Sequence, residues 1–118
     1  GTSTALLGRV GDVPQYGQGL FAGPCGAVAA TGKGEAIIRE HVAAEVYDLL
    51  CAGLDPDESI RRATWNIGVR EGVGVVAMSK RGFGARATSQ MAWAARSDAG
   101  AVQADRLIER DRGTWTAR

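Results

Sequence analysis

Residues 26–35 read G-A-V-A-A-T-G-K-G-E, and no other stretch of the chain constrains the fold as strongly. The apolar run Ala27–Ala30 predicts a short buried strand. It stops at Thr31; Gly32, Lys33 and Gly34 turn; and Glu35 opens a long helical pattern. A hydroxyl and two glycines therefore stand between a strand end and a helix start. A helix start offers unpaired backbone N–H groups, and glycine lets a ligand approach with no Cβ in the way. Such a turn can hold an anion or a developing oxyanion. It can equally be a strand-to-helix turn in which glycine is only punctuation.

The chain on either side sorts into elements. Glu35 to Leu50 is predicted as one helix, with Ile38, Val42, Val46 and Leu49 on a face that Ile37 and Leu50 widen. Arg39, Glu40 and Asp48 fall off that stripe and should meet water. Gly53 suits the C-terminal cap. Asp55, Pro56 and Glu58 then read as N-cap, N1 and N3 of a second helix in a capping-box arrangement, running to about Ile67 and ending at Gly68. Gly74 to Met78 and Phe83 to Thr88 flank Lys80-Arg81-Gly82, which predicts a β-hairpin. Before the central stretch, 13–19 is an irregular loop, Leu20-Phe21-Ala22 a short strand and Gly23-Pro24 a turn. Met91 to Ala95 is a last candidate strand, and from Asp98 onward no apolar face is evident. Two consecutive helices with strands grouped on either side imply α+β, the helices packed on one face of a largely antiparallel sheet.

A chain of 118 residues suffices for a single domain, 1–118, that buries roughly two-thirds of its unfolded surface. Its 17 glycines, in no repeat, cluster in 8–34 and 68–84, where they imply tight turns and close backbone approach. A net charge of +1 gives no reason to invoke nucleic acid or an anionic membrane as partner. No run approaches the roughly 20 apolar residues of a membrane span, and no signal peptide is visible. Cys25 and Cys51 fit no metal spacing and no secreted disulfide framework. They are expected as two buried thiols in a reducing compartment, hence a cytoplasmic location.

The residues available for chemistry are few. His41 is the sole histidine and reads as a surface or partly buried helical residue, which leaves no Ser–His–Asp or Cys–His arrangement on this chain. There is no H-E-x-x-H and no cysteine cluster, so no metal site and no cofactor are expected. Gly32-Lys33-Gly34 departs from a phosphate loop, which needs Ser or Thr after the lysine. What remains are hydroxyls and one Arg–Asp pair. Arg9 can clamp a carboxylate through two parallel hydrogen bonds, and Asp12 can accept from an ammonium group. Together they fit the two ends of an α-amino acid, or they pair with each other as a loop brace. Thr2, Ser3 and Thr4 supply three successive hydroxyls, which on a strand would alternate between faces.

Three motifs, G-T-S-T at 1–4, G-R-V-G-D-V-P at 8–14 and A-A-T-G-K-G-E at 29–35, stand in the order found in the β-subunit of the N-terminal-nucleophile asparaginases. The chain resembles that family over about residues 1–95. The family includes plant-type L-asparaginase/isoaspartyl peptidases and glycosylasparaginases. The G-V-G-V-V-A-M-S-K and M-A-W-A-A segments resemble the isoaspartyl-peptidase branch, whereas G-T-S-T and A-A-T-G lean to the glycosylasparaginases. The resemblance implies an αββα four-layer sandwich, of which this chain supplies the β-subunit portion. It also implies a precursor that cleaves itself to free a threonine serving as nucleophile and, through its amine, as base. The substrate would be L-asparagine or a β-aspartyl dipeptide, with no cofactor, an α-subunit of the same precursor and an (αβ)2 assembly.

Carried over by motif, Thr4 is the hydroxyl beside the nucleophile. Arg9 holds the substrate α-carboxylate and Asp12 its α-amino group. Thr31 and Gly32 form the oxyanion site, with Gly34 close to the substrate. The nucleophile itself is not identifiable here. Gly1-Thr2 resembles a Gly–Thr cleavage bond, but Ser3-Thr4-Ala5 does not continue as the nucleophile strand does, and the resemblance places that strand upstream of G-T-S-T. Ala5-Leu6-Leu7 stands where the family has a glycine or two and a longer segment. The reading from another class is a non-catalytic relative that keeps the amino-acid clamp as a binding module.

Overall fold

The computed structural model describes residues 5–68, 70–91, 94–96, 102–104, 108–111 and 114–117. Its centre is a four-stranded antiparallel sheet in the order β1-β2-β3-β4: β1 (Leu20–Gly23), β2 (Gly26–Gly32), β3 (Val73–Ser79) and β4 (Gly82–Ala87). Pro24 and Cys25 connect β1 to β2, and Lys80 and Arg81 close the β3–β4 hairpin. β2 and β3 pair from Ala27 opposite Met78 to Gly32 opposite Val73. Strand alternation divides the faces. Val28, Ala30, Val73, Val75 and Ala77 are buried beneath three helices: α1 (Gly34–Arg39), α2 (Val42–Cys51) and α3 (Pro56–Ala63). This is the expected α+β arrangement. On the other face, Val76, Met78 and Phe83 are 49%, 60% and 47% exposed.

The helix expected over Glu35 to Leu50 is in fact two. It breaks at Glu40 and His41, and His41 adopts a left-handed conformation, φ 46°. The reason lies in competition for N–H donors. In a continuous helix, Ala43 and Ala44 would donate to the carbonyls of Arg39 and Glu40. Here they donate to Gln18 and Gly17, each at 3.0 Å, so the loop before β1 caps the start of α2. The break also rotates the buried stripe. Ile38 is exposed, and the core side is Ala36, Ile37, Val42, Ala43, Val46, Tyr47 and Leu50. Burying an isoleucine such as Ile37 contributes about 1.5–3 kcal/mol.

The remaining elements follow the sequence with local corrections. Gly53 ends α2 at φ +93°, with its N–H on the Leu50 carbonyl. Asp55 Oδ1 accepts the Glu58 N–H at 3.0 Å and Pro56 opens α3. The reciprocal arm of the capping box does not form, because the Glu58 carboxylate is taken by Arg61 and Arg62. α3 stops at Ala63, four residues short of the expected Ile67. Thr64 donates its hydroxyl to the Ile60 carbonyl at 2.8 Å, and the following turn tucks Ile67 into the core instead. Beyond the sheet, β5 (Ala94–Arg96) pairs with β6 (Val102–Ala104) and β7 (Ile108–Asp111) with β8 (Thr114–Ala117). The pairings give the tail more strand than its sequence suggested. Among the described residues no helix is long and apolar enough to cross a membrane.

The cysteines correct a further expectation. Cys25 and Cys51 form a disulfide, not two thiols. The β1–β2 turn carries Cys25 over the last residue of α2, which puts the two Cα atoms 5.2 Å apart, within the range a disulfide bridges. A separation of 26 residues carries no such signal in the sequence.

Candidate functional site

The site is built at the end of β2. Thr31 and Gly32 are exposed there. Thr31 lies on the face away from the helices, opposite Gly74 of β3. It opens onto a cavity of about 160 Å³ lined with Val13, Ala29, Gly74, Ala85 and Met91. Apart from the Thr31 hydroxyl and the flank of Arg86, the cavity walls are apolar.

The backbone of the turn is fixed in direction. Along a strand, successive N–H groups point to opposite edges. The Ala30 N–H donates to the Gly19 carbonyl at 2.8 Å on the β1 side, and the Lys33 N–H donates to the Gly72 carbonyl at 2.8 Å on the β3 side. The Gly32 N–H therefore points to the β1 side, past Ala29, the last residue that β1 pairs. Gly32 needs to be glycine. Its φ is +125°, and a Cβ would run into the Gly72 carbonyl and come 2.8 Å from Val73 Cα. These constraints leave one exposed hydroxyl and one directed amide next to each other, a donor pair suited to an oxygen that gains negative charge.

Asp12 reaches the same place from the N-terminal loop. Its carboxylate packs on Gly34 so closely that a Cβ there would be 3.0 Å from Asp12 Cγ. The loop is pinned behind it. The Asp12 main-chain carbonyl accepts the Gln15 N–H at 3.0 Å, and Gly19 presses against the Asp12–Val13 backbone. Asp12 is thus brought onto the turn that runs from Thr31 and Gly32 to Gly34. Arg9 is not: it is exposed, with its Nε donating to the neighbouring Val10 carbonyl at 3.2 Å. The brace between Arg9 and Asp12 does not form. Thr4 lies outside the described residues. His41 sits on the exposed helix break. α1 has only six residues and no side-chain cap at Lys33, so the site rests on the donors of the turn and not on a long helix.

No sequence motif marks the loop that backs the turn. Residues 71–73 supply the Gly72 carbonyl, and Glu71 anchors them by a bidentate pair with Arg39 at 3.2 and 2.9 Å. Those hydrogen bonds push the Glu71 carboxyl below its ordinary range and the Arg39 guanidinium upward. No spacing marked this loop, because it joins the site only through the pairing of Gly32 with Val73.

A family model described as asparaginase matches residues 1–104. A plant-type L-asparaginase of Pyrococcus abyssi is 33% identical over 91 residues, which cover 70% of this chain and 30% of that protein. A Drosophila melanogaster protein named probable isoaspartyl peptidase/L-asparaginase is 36% identical over 105 residues, 79% of this chain and 31% of its own. An N(4)-(beta-N-acetylglucosaminyl)-L-asparaginase of Elizabethkingia miricola is 36% identical over 93 residues, 70% of this chain and 27% of its own. The chain thus spans under a third of the length of each of these relatives. With the three motifs in order and the match running through the whole four-stranded sheet, the chain belongs to the asparaginase family.

Proposed function

We propose that this chain is the β-subunit portion of a threonine-nucleophile amidohydrolase. It would hydrolyse L-asparagine or the isopeptide bond of β-aspartyl dipeptides. The observation that carries the reading is the packing of the Asp12 carboxylate on Gly34, at the turn where β2 ends in the exposed Thr31 and Gly32. A nucleophilic threonine, supplied upstream with Thr4 beside it, attacks the β-carbonyl. Thr31 and Gly32 stabilise the tetrahedral oxyanion. Asp12 holds the substrate ammonium close to Gly34, and Arg9 turns inward to clamp the α-carboxylate. Water then releases aspartate from the acyl-enzyme.

The open sheet face supports the four-layer sandwich of this family. Val76, Met78 and Phe83 are contiguous neighbours in register and expose apolar surface of the kind that marks a contact. A second sheet from an α-subunit would cover it, with two such units forming the (αβ)2 assembly. The disulfide favours an oxidising compartment over the cytoplasm; alkylation of protein isolated without reductant, read by mass spectrometry, separates the two.

Steady-state assays of the full-length protein with L-asparagine, a β-aspartyl dipeptide and a glycosylated asparagine test the reading. Turnover of the first two supports it, and turnover of the third alone assigns the glycosylasparaginase activity, which the Elizabethkingia relative carries in its name. Thr31→Ala should lower turnover about a hundredfold or more. A protein that stays a single uncleaved chain and hydrolyses none of the three is a binding module, and the proposal fails.

A further inference from the structure

We infer that Thr88 is a positioning residue for the oxyanion turn, an inference that rests on the amidohydrolase reading. Thr88 lies just past the end of β4, is 1% exposed, and makes three hydrogen bonds to the loop behind the site. Its hydroxyl donates to the Glu71 carbonyl at 3.1 Å and accepts the Val73 N–H at 2.9 Å. Its own N–H donates to the Val73 carbonyl at 2.8 Å. Gly72 lies between the two residues gripped by that hydroxyl. Ser89 abuts Gly72 from the same side, since a Cβ on Gly72 would strike the Ser89 hydroxyl.

The grip matters because of what the Gly72 carbonyl does. It accepts the Lys33 N–H and lies against Gly32 Cα. The Lys33 N–H on the β3 side is what holds the Gly32 N–H to the opposite, substrate side. The line of force runs from the Thr88 hydroxyl through the 71–73 backbone to Lys33, and from there to the Gly32 donor. Thr88 touches no substrate in this arrangement. Its hydroxyl replaces a main-chain acceptor at the point where the β3–β4 ladder ends. A hydroxyl can donate and accept at once, which a backbone carbonyl cannot.

Donors preorganised for the transition state lower the barrier only if they are held in place. Loosening the 71–73 loop should therefore reduce kcat more than it raises KM. The test compares wild type with Thr88→Val, which keeps the shape and removes the hydroxyl, and Thr88→Ser, which keeps the hydroxyl. Each full-length protein is assayed with a β-aspartyl dipeptide, and amide hydrogen exchange is followed in the peptide covering 31–35. Thr88→Val is expected to lower kcat about tenfold or more, to leave KM within about threefold, and to speed exchange at Lys33. Thr88→Ser should restore both. Unchanged exchange in Thr88→Val overturns the proposal, as does unchanged kcat, or a Thr88→Ser variant as impaired as Thr88→Val. Should Thr88→Val fail to fold, Thr88→Ser beside Thr88→Cys, which holds a poorer hydrogen-bonding group, replaces it with the same readouts. A wild-type protein that hydrolyses no amide instead refutes the amidohydrolase reading, and exchange at Lys33 then still decides whether Thr88 holds the turn.

Discussion

Gly34→Ala tests the placement of Asp12 with little disturbance elsewhere. A Cβ at residue 34 would fall inside contact distance of Asp12 Oδ1, 3.0 Å from Cγ and 3.2 Å from Oδ2. All three atoms end a side chain, so the fold yields by moving the carboxylate and not the backbone. The displacement required is on the order of 1 Å, and a misplacement of that size can cost about a hundredfold in rate. That corresponds to about 2.7 kcal/mol. Gly34 is the first residue of α1 and has no left-handed φ, so alanine fits its backbone and thermal stability should hold. If Asp12 binds the substrate ammonium alike in ground and transition states, the loss falls on KM while kcat stays within a few fold. Steady-state kinetics on a β-aspartyl dipeptide, with calorimetric titration of aspartate, read both quantities. Asp12→Ala should give a similar loss, and the double variant should be no worse than Asp12→Ala alone. A Gly34→Ala variant with unchanged KM and unchanged aspartate affinity refutes the proposed clamp, and so do additive losses in the double variant.

Other outcomes follow from the same geometry. Gly32→Ala places its Cβ against backbone atoms of Gly72 and Val73 at a left-handed φ, so urea unfolding should show a loss of at least about 2 kcal/mol; a stable variant would mean that the turn is looser than described. Replacing Cys25 and Cys51 together by serine removes a bridge across 26 residues and should cost about 3.5 kcal/mol by loop entropy, read as a lowered urea midpoint that matches the reduced wild type. Hydrogen bonds from Arg61, then Arg62, hold the Glu58 carboxyl down from 4.5 to about 2. Because its folded value is depressed, its contribution is complete above the unfolded value and is lost as pH falls from about 4.5 through 2. Urea midpoints between pH 5 and 2 should therefore fall less steeply in Glu58→Gln than in wild type, and parallel curves would remove Glu58 from the acid transition.

The sequence carried the sheet because its signals are local. The apolar run Gly74 to Met78 and the Lys80-Arg81-Gly82 turn need no distant partner to be read, and Asp55-Pro56 marks a helix start from its own chemistry. The features without a local signal depend on contacts between remote segments. His41 breaks a helix whose periodicity was sound, because Gly17 and Gln18 outcompete Arg39 and Glu40 as acceptors. Ile38 is exposed for the same reason. The disulfide and the Thr88 grip likewise exist only once the strands are in register. At the site, the Arg–Asp spacing was legible, but the spacing could not show that Asp12 alone reaches the turn while Arg9 points along its own loop.

The helix break and the placement of Asp12 are two ends of one device. A carboxylate on a loop is useful only if the loop is held, and 13–19 has little apolar surface of its own to bury. It is held instead by polar contacts: Gly17 and Gln18 accept the first-turn N–H groups of α2, and Gly19 accepts the Ala30 N–H of β2. Gly19 also backs onto the Asp12–Val13 backbone, so fixing 17–19 fixes Asp12. A continuous helix through His41 would withdraw the two α2 donors and release one side of that clamp. The left-handed residue costs of order 1–3 kcal/mol, and the two donors that a continuous helix would satisfy internally turn instead to the Gln18 and Gly17 carbonyls. Those bonds connect the core helix to the carboxylate that packs against Gly34.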